Sequence, residues 1–86
     1  MEILKVGSRS HPGKVAGAIA GIIREGRPVQ TRAIGAGAVN QAIKAVIVAR
    51  KYLLADGIDV ICIPEFVDIN IDGQERTAII LIVQPK

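Results

Sequence analysis

The segment that decides the fold is Ala33-Ile34-Gly35-Ala36-Gly37-Ala38-Val39-Asn40-Gln41, where two glycines separate an apolar strand from a helix. Gly35 and Gly37 let the backbone turn sharply, and they keep side chains away from the first N–H groups of the helix. Those N–H groups lack partners within the helix and carry partial positive charge. The turn therefore either holds an anion such as phosphate or only permits close packing of the helix on the sheet. The motif alone does not decide between these interpretations, because it is neither a P-loop nor a complete GxGxxG fingerprint.

The flanking segments extend this unit to a βαβαββ order. Residues 2–6 are typical of a strand that ends at Gly7, and a first helix is expected from Pro12, capped by Ser10 or His11, to about Glu25. A second strand is predicted over residues 29–34 and a second helix over about 37–54. Two β-α-β crossovers imply parallel neighbouring strands with both helices on one side of the sheet.

The C-terminal part is predicted to be a hairpin. Asp72-Gly73 is a strong signal for a two-residue type I′ turn between strands 60–71 and 75–83. This turn sets the pairs Ile71 with Gln74, Ile69 with Arg76, Val67 with Ala78, Ile63 with Ile82, Asn70 with Glu75, Asp68 with Thr77, Phe66 with Ile79 and Cys62 with Val83. The base is then apolar on both faces, and the tip, with one polar face, projects beyond the helices. Pro64 and Glu65 indicate a bulge or an edge position.

Size and apolar surface together predict self-association. The 86 residues form one domain, 1–86, whose core is marginal in a monomer. Residues 15–23 contain no polar side chain, so the first helix is expected to be buried on nearly all sides. With helices on only one face of the sheet, the surplus apolar surface predicts a homodimer or a higher oligomer.

Composition argues against several classes of protein. The longest charge-free run is too short to span a bilayer, and Met1 precedes an acidic residue rather than a signal peptide, so a cytoplasmic location is expected with no membrane partner. Cys62 lies in an apolar run and is expected to be a buried small hydrophobe. The lone His11 is explained by helix capping, and one His with one Cys gives no zinc site. We therefore expect no enzyme activity, no cofactor and no metal.

Charge is distributed unevenly along the chain. Residues 1–55 hold nine Lys and Arg against two acids, whereas residues 56–86 hold two against six. This asymmetry predicts either a basic face for a polyanion or head-to-tail electrostatics between subunits. Arg32 precedes the glycine turn and Lys44 lies two turns into the helix, which favours nucleic acid as the partner.

Five segments carry a resemblance to a known family. The chain resembles the stage V sporulation protein S family over essentially its whole length, at residues 1–6 (MEILKV), 15–21 (VAGAIAG), 33–42 (AIGAGAVNQA), 61–64 (ICIP) and 69–78 (INIDGQERTA). That family is similar in turn to Alba, the archaeal chromatin protein, whose dimers bind DNA or RNA. The resemblance implies an α/β fold of two layers (an α+β sandwich), with a four-stranded mixed sheet, the last strand central, and two helices on one face. It also implies a role in bacterial sporulation or developmental control.

Alba's nucleic-acid contacts carry over in part. Its basic pair after the first strand falls on Ser8 and Arg9, with Lys14 close behind, and its arginines at the second helix fall on Gly35 and Gly37. Its basic hairpin arm corresponds to a tip with three acids and Arg76. The two arginines of the second helix are therefore absent here. What remains is the backbone anion site at Gly35 and Gly37 predicted from the glycine turn, flanked by Arg9, Lys14, Arg32 and Lys44, with Arg76 on the hairpin arm. The acidic hairpin keeps a second possibility open, a non-enzymatic module that binds a protein partner.

Overall fold

The computed structural model describes residues 1–86, and their elements follow the predicted order. The strands and helices are β1 (Glu2–Val6), α1 (Pro12–Arg24), β2 (Val29–Ala33), α2 (Ala36–Ala55), β3 (Val60–Ile71) and β4 (Gln74–Pro85). Pro12 occupies the start of α1, and His11 caps it, since the Nδ1 atom accepts a hydrogen bond from Gly13 N at 3.2 Å. A proline costs nothing there because the first N–H groups of a helix have no intrahelical partner.

The sheet is mixed, with strand order β1-β2-β4-β3. β1 and β2 are parallel, and β4 is antiparallel to both of its neighbours, β2 and β3. The expectation that β2 and β3 are neighbours, drawn from the second crossover, is wrong because β4 inserts between them. The central place of β4 follows from its sequence, since residues 78–83 are apolar on both faces and an inner strand buries both faces.

Both helices pack on the same face of this sheet, which confirms the predicted two-layer α+β fold. Val29, Thr31 and Ala33 of β2 point to the helices and are almost completely buried. On the helix side, α1 contributes large residues such as Ile19, whereas α2 buries mainly alanines, at positions 38, 42, 45 and 49. Small side chains on α2 let its backbone approach α1 and the sheet closely.

One side of α1 remains open in the single chain. Gly17 and Ala18 are exposed and Gly21 is half-buried in the single chain, so the burial of this helix on nearly all sides, which was expected together with self-association, stays a prediction. The open side arises because α1 contacts only α2 and one face of the sheet. The third side of α1 carries the small residues Gly17, Ala18 and Gly21.

The hairpin has the predicted register from its base to its tip. Asp72 and Gly73 both have positive φ, +51° and +79°, as a type I′ turn requires. The pairing of β3 with β4 is continuous past Pro64, so there is no bulge, and the alternative prediction of an edge position is the correct one. Beyond the pair Phe66 with Ile79 the ribbon has no other strand beside it, which confirms the projecting tip.

Cys62 is exposed, contrary to the expectation of burial. It lies on edge strand β3, which α2 barely covers, although neighbouring atoms desolvate the thiol enough to raise its pKa.

Candidate nucleic-acid interface

The eleven Lys and Arg side chains divide into two groups according to whether an acid pairs with them. Four of them are in ion pairs, Arg24 with Asp56 at 2.7 Å, Arg27 with Glu25 at 3.2 Å and Glu2 at 3.8 Å, Arg50 with Asp59 at 2.9 Å, and Lys86 with Asp59 at 3.9 Å. The other seven have no acidic partner within 4.0 Å: Lys5, Arg9, Lys14, Arg32, Lys44, Lys51 and Arg76.

The unpaired cations concentrate at one end of the molecule. β1 and β2 are parallel and each is followed by a helix, so the C-terminal ends of both strands and the N-termini of both helices lie together. Lys5, Arg9 and Lys14 come from the end of β1, the loop after it and the first turn of α1. Arg32 comes from the end of β2. The two helix N-termini add their partial positive charge to this end.

Lys5 lies between the predicted residues Lys14 and Arg32, so the three side chains form one continuous surface. It lies opposite Arg32 in the β1–β2 register, and it lines a shallow groove along the β1 edge together with Lys14. We call Lys14, Lys5 and Arg32 the basic strip. Lys5 is not among the predicted site residues, although its alternation with the inward-pointing Leu4 and Val6 indicates that it faces outward.

Arg32 lies on the face of the sheet that carries no helix. Its neighbours Thr31 and Ala33 point to the helices, so Arg32 points away from them. The side chain is half-buried, and its Nε is inaccessible without a hydrogen-bond partner. Arg32 is therefore separated by the sheet from the start of α2, beside which the sequence placed it.

Both glycines of the turn have a structural role. Gly35 caps α2 with φ +90°, a conformation that side chains disfavour. A Cβ on Gly37 would lie 3.2 Å from the Cβ of Ser8, so the β1–α1 loop approaches the helix closely at this point. Gln41 Nε2 also donates to the carbonyl of Ser10 at 3.0 Å, which holds the loop against α2. Backbone conformation thus accounts for Gly35, and close packing accounts for Gly37, with the β1–α1 loop rather than the sheet as its neighbour.

The remaining predicted residues occupy separate places. Arg9 belongs to the loop that covers Gly37, so it lies beside the glycine turn. Lys44 is exposed on the outer side of α2, away from the buried alanines. Arg76 lies near the hairpin tip, opposite Ile69 and next to Glu75. The predicted site is therefore two clusters, the basic strip and the loop at the glycine turn, with Lys44 and Arg76 outside them.

Comparison with known proteins shows to which family the chain belongs. The family model of stage V sporulation protein S matches residues 2–86. The chain belongs to the stage V sporulation protein S family. It is accordingly a sporulation-associated protein, as the sequence resemblance implied.

This member of the stage V sporulation protein S family also has an apolar groove on the helix side of the sheet. The groove has a volume of about 590 Å³ and lies between the start of α2 and the hairpin. Val39 and Ile43 line it from the helix, and Phe66, with 78% of its surface exposed, lines it from β3 with Ile79 behind it. We call it the α2–β3 groove. Exposed Ile47 follows one turn further along α2.

Two further findings describe the family member as a whole. Neither helix has the length and apolar character needed to cross a membrane. No three of the His, Cys, Asp and Glu side chains come together as a group that could hold a metal ion.

Proposed function

We propose that the protein is a cytoplasmic, non-enzymatic homodimer that binds DNA or RNA through phosphate contacts and acts in bacterial developmental control. The observation that carries the proposal is the set of cations without acidic partners at the end where both helices begin. At the opposite end of the sheet Arg24, Arg27 and Arg50 are paired with acids. The unpaired acids lie on the hairpin, which projects from the same end as the unpaired cations but belongs to β3 and β4 rather than to β1 or β2.

The contacts supplied by this surface are electrostatic. Lys and Arg on the basic strip neutralise phosphates and release counterions, a mode of binding that depends on salt and not on base sequence. Arg9 in the loop and Lys44 on α2 extend the surface, and the first N–H groups of α2 have no side-chain cap. The chain has only one Tyr, one Phe and no Trp, so stacking platforms for bases contribute little.

The test measures binding at two salt concentrations with single substitutions of the strip. Lys5→Gln, Lys14→Gln and Arg32→Gln should each weaken binding to unrelated DNA and RNA sequences to a similar degree. Each should also lower the slope of log K against log salt by about one unit between about 50 and about 200 mM. Fluorescence anisotropy with a labelled duplex and a labelled single-stranded RNA gives both quantities.

Lys51→Gln is the matched control. Lys51 is also unpaired and exposed, but it lies near the far end of α2, so its loss changes the net charge equally without touching the strip. If Lys51→Gln weakened binding as much as Lys5→Gln, the protein would bind through its net charge alone, and the assigned surface would be wrong.

The homodimer is supported by the exposed apolar residues around the α2–β3 groove. Ile43, Ile47 and Phe66 are 46%, 52% and 78% exposed, and together they form a patch of the kind that oligomers bury. The groove borders β3, whereas the basic strip lies at β1, the other edge of the sheet. A dimer formed through the groove therefore leaves both basic strips accessible, while it covers Gly35 and Ala36 at the start of α2.

The acidic hairpin favours a second candidate, a module that binds a protein partner. Glu65, Asp72 and Glu75 form no ion pair, and Asp68 accepts only a hydrogen bond from Thr77 at 2.9 Å. Replacing Asp72 and Glu75 by Asn and Gln separates the two candidates. The nucleic-acid proposal expects equal or tighter nucleic-acid binding, whereas the protein-partner candidate expects loss of a partner captured from cell extract by the wild-type chain.

A further inference from the structure

A recess lies on the sheet face that carries no helix. It has a volume of about 470 Å³, within the range of small-molecule sites, and lies between the ends of β1 and β2 and the hairpin tip. Its walls include Lys5, Gly7, Arg32, Ile34, Ile69 and Ile71. It is separate from the α2–β3 groove, which lies on the other face of the sheet.

The twist of the hairpin forms the recess. The pairs from Val67 with Ala78 to Ile71 with Gln74 extend beyond the last residue of β2, so this part is a two-stranded ribbon, which twists more than a full sheet. Ile69 and Ile71 consequently reach the same recess as Lys5 of β1, three strands away in the sheet order.

The central strand is also covered on the face of the sheet that carries no helix. Ala78 is completely buried and Ile80 is 7% exposed, although they point to the face without helices. Their cover comes from side chains of the sheet itself. The face without helices is therefore not flat beside the hairpin.

Two adjacent cations in the recess have no anion. Lys5 and Arg32 are directly opposite each other on neighbouring strands, whose backbones lie about 4.8 Å apart, and neither side chain pairs with an acid. The acid on the same face that lies closest by register is Glu65, which is opposite Ile80 and so two strands from Arg32, about 10 Å away. Like charges placed opposite each other destabilise a sheet, and the inaccessible Nε of Arg32 has no acceptor. A bound anion would neutralise this pair of like charges.

We propose that this recess binds a small phosphate monoester with an apolar body. The phosphate lies against Lys5 and Arg32, whose two charges match its charge of about −1.5 to −2 at neutral pH. The body packs on Ile34, Ile69 and Ile71. A mononucleotide and an aliphatic phosphate share this chemistry. The site goes beyond the proposed nucleic-acid function and does not require it, because Ile34, Ile69 and Ile71 offer apolar contacts that the basic strip lacks.

Isothermal titration calorimetry of the full chain tests the site with three probes: inorganic phosphate, hexyl phosphate and adenosine monophosphate. At least one organic phosphate should bind at least about tenfold more tightly than inorganic phosphate, because apolar surface is buried on the isoleucines. Tighter binding of the nucleotide identifies a nucleotide site, and tighter binding of hexyl phosphate identifies an aliphatic one. Equal affinity for all three probes, or no binding, would overturn the proposal.

Substitutions locate the binding in the recess. Arg32→Gln and Lys5→Gln should each lower the affinity for every probe at least about tenfold, since each removes a charge-assisted contact. Ile69→Ser should remove the advantage of the organic phosphates and leave inorganic phosphate binding unchanged. Thermal unfolding of each variant shows whether it is folded. Wild-type affinities in folded Arg32→Gln and Lys5→Gln would also overturn the proposal.

Lys44→Gln separates this site from the nucleic-acid surface. Lys44 lies on α2, on the other face of the sheet, so its loss should weaken nucleic-acid binding and leave the affinity for the organic phosphate unchanged. If no variant affected nucleic acid but Arg32→Gln abolished binding of the small ligand, the proposed function would fail while the recess remained a site.

Discussion

At the scale of single residues, the two glycines of the β2–α2 turn differ in why they are needed. Gly35 has φ +90°, so Gly35→Ala should lower the free energy of unfolding by about 1–2 kcal/mol through backbone strain alone. Gly37 has no such φ, but Gly37→Val should destabilise the protein through its contact with Ser8. Urea denaturation measures both changes, and a Gly35→Ala variant as stable as the wild type would contradict the positive φ.

Gly17→Ala is the matched control for these substitutions. A Cβ on Gly17 meets nothing within 4 Å, and this glycine lies inside α1, where alanine is favoured. The variant should be more stable by about 0.5–1 kcal/mol. Destabilisation by Gly17→Ala would show that another surface covers this side of α1.

At the scale of elements, Asp59 connects α2, β3 and the C-terminus. Arg50 Nε donates to Asp59 Oδ1 at 2.9 Å, Val60 N donates to the same atom at 2.9 Å, and Lys86 lies 3.9 Å from Oδ2. These contacts hold the pKa of Asp59 below its usual value. The hydrogen bond from Arg50 is the largest cause, and the hydrogen bond from the Val60 N–H is the next. Stability from this group is thus present above its unfolded pKa and is lost as the pH falls toward the lower folded pKa.

We therefore expect Asp59→Asn to be less stable than the wild type at neutral pH, by an amount that shrinks below about pH 4. The effect should be modest because Arg50 and Asp59 are both accessible to water. Urea denaturation at a series of pH values measures the difference. Glu65→Gln serves as the control, since Glu65 has no ion-pair partner, and a difference for Asp59→Asn that persisted unchanged at low pH would contradict the assignment.

Elements that depend on local chemistry could be predicted from the sequence. Asp72-Gly73 fixed the whole hairpin register, because a two-residue turn leaves only one pairing, and Pro12 marked the start of α1. The position of β4 between β2 and β3 did not follow from the crossover rule, since that rule does not say which later strand inserts. Its apolar character on both faces was the usable signal.

The candidate site was harder to predict because it depends on strand order and register, which are not local in the sequence. Arg32 is close to the glycine turn in sequence, but strand alternation places it on the opposite face. Its neighbour Lys5 is 27 positions away in the chain and is brought there only by the parallel register. The recess depends further on the twist of the ribbon, which no local pattern encodes.

At the scale of the whole molecule, charge and apolar surface lie at different edges of the sheet. The basic strip lies at β1, and the α2–β3 groove with Phe66 lies toward β3. The groove also includes Gly35 and Ala36, so a partner in the groove would cover the start of α2 but not the strip at β1. Self-association through the groove and nucleic-acid binding through the strip can therefore be altered separately.

The oligomeric state provides the last prediction. Wild-type protein at micromolar concentration should have twice the 9.1 kDa mass of one chain by light scattering, whereas Ile47→Asp and Phe66→Asp should give the mass of one chain. Ile3→Asp is the control, because Ile3 is 42% exposed but lies on the β1 edge.

A folded monomeric variant keeps its basic strip, yet it presents one strip instead of two, so its salt slope for nucleic acid should be about half that of the dimer. A wild-type chain that is monomeric, or a dimer lost in Ile3→Asp but kept in Phe66→Asp, would place the interface elsewhere or remove it.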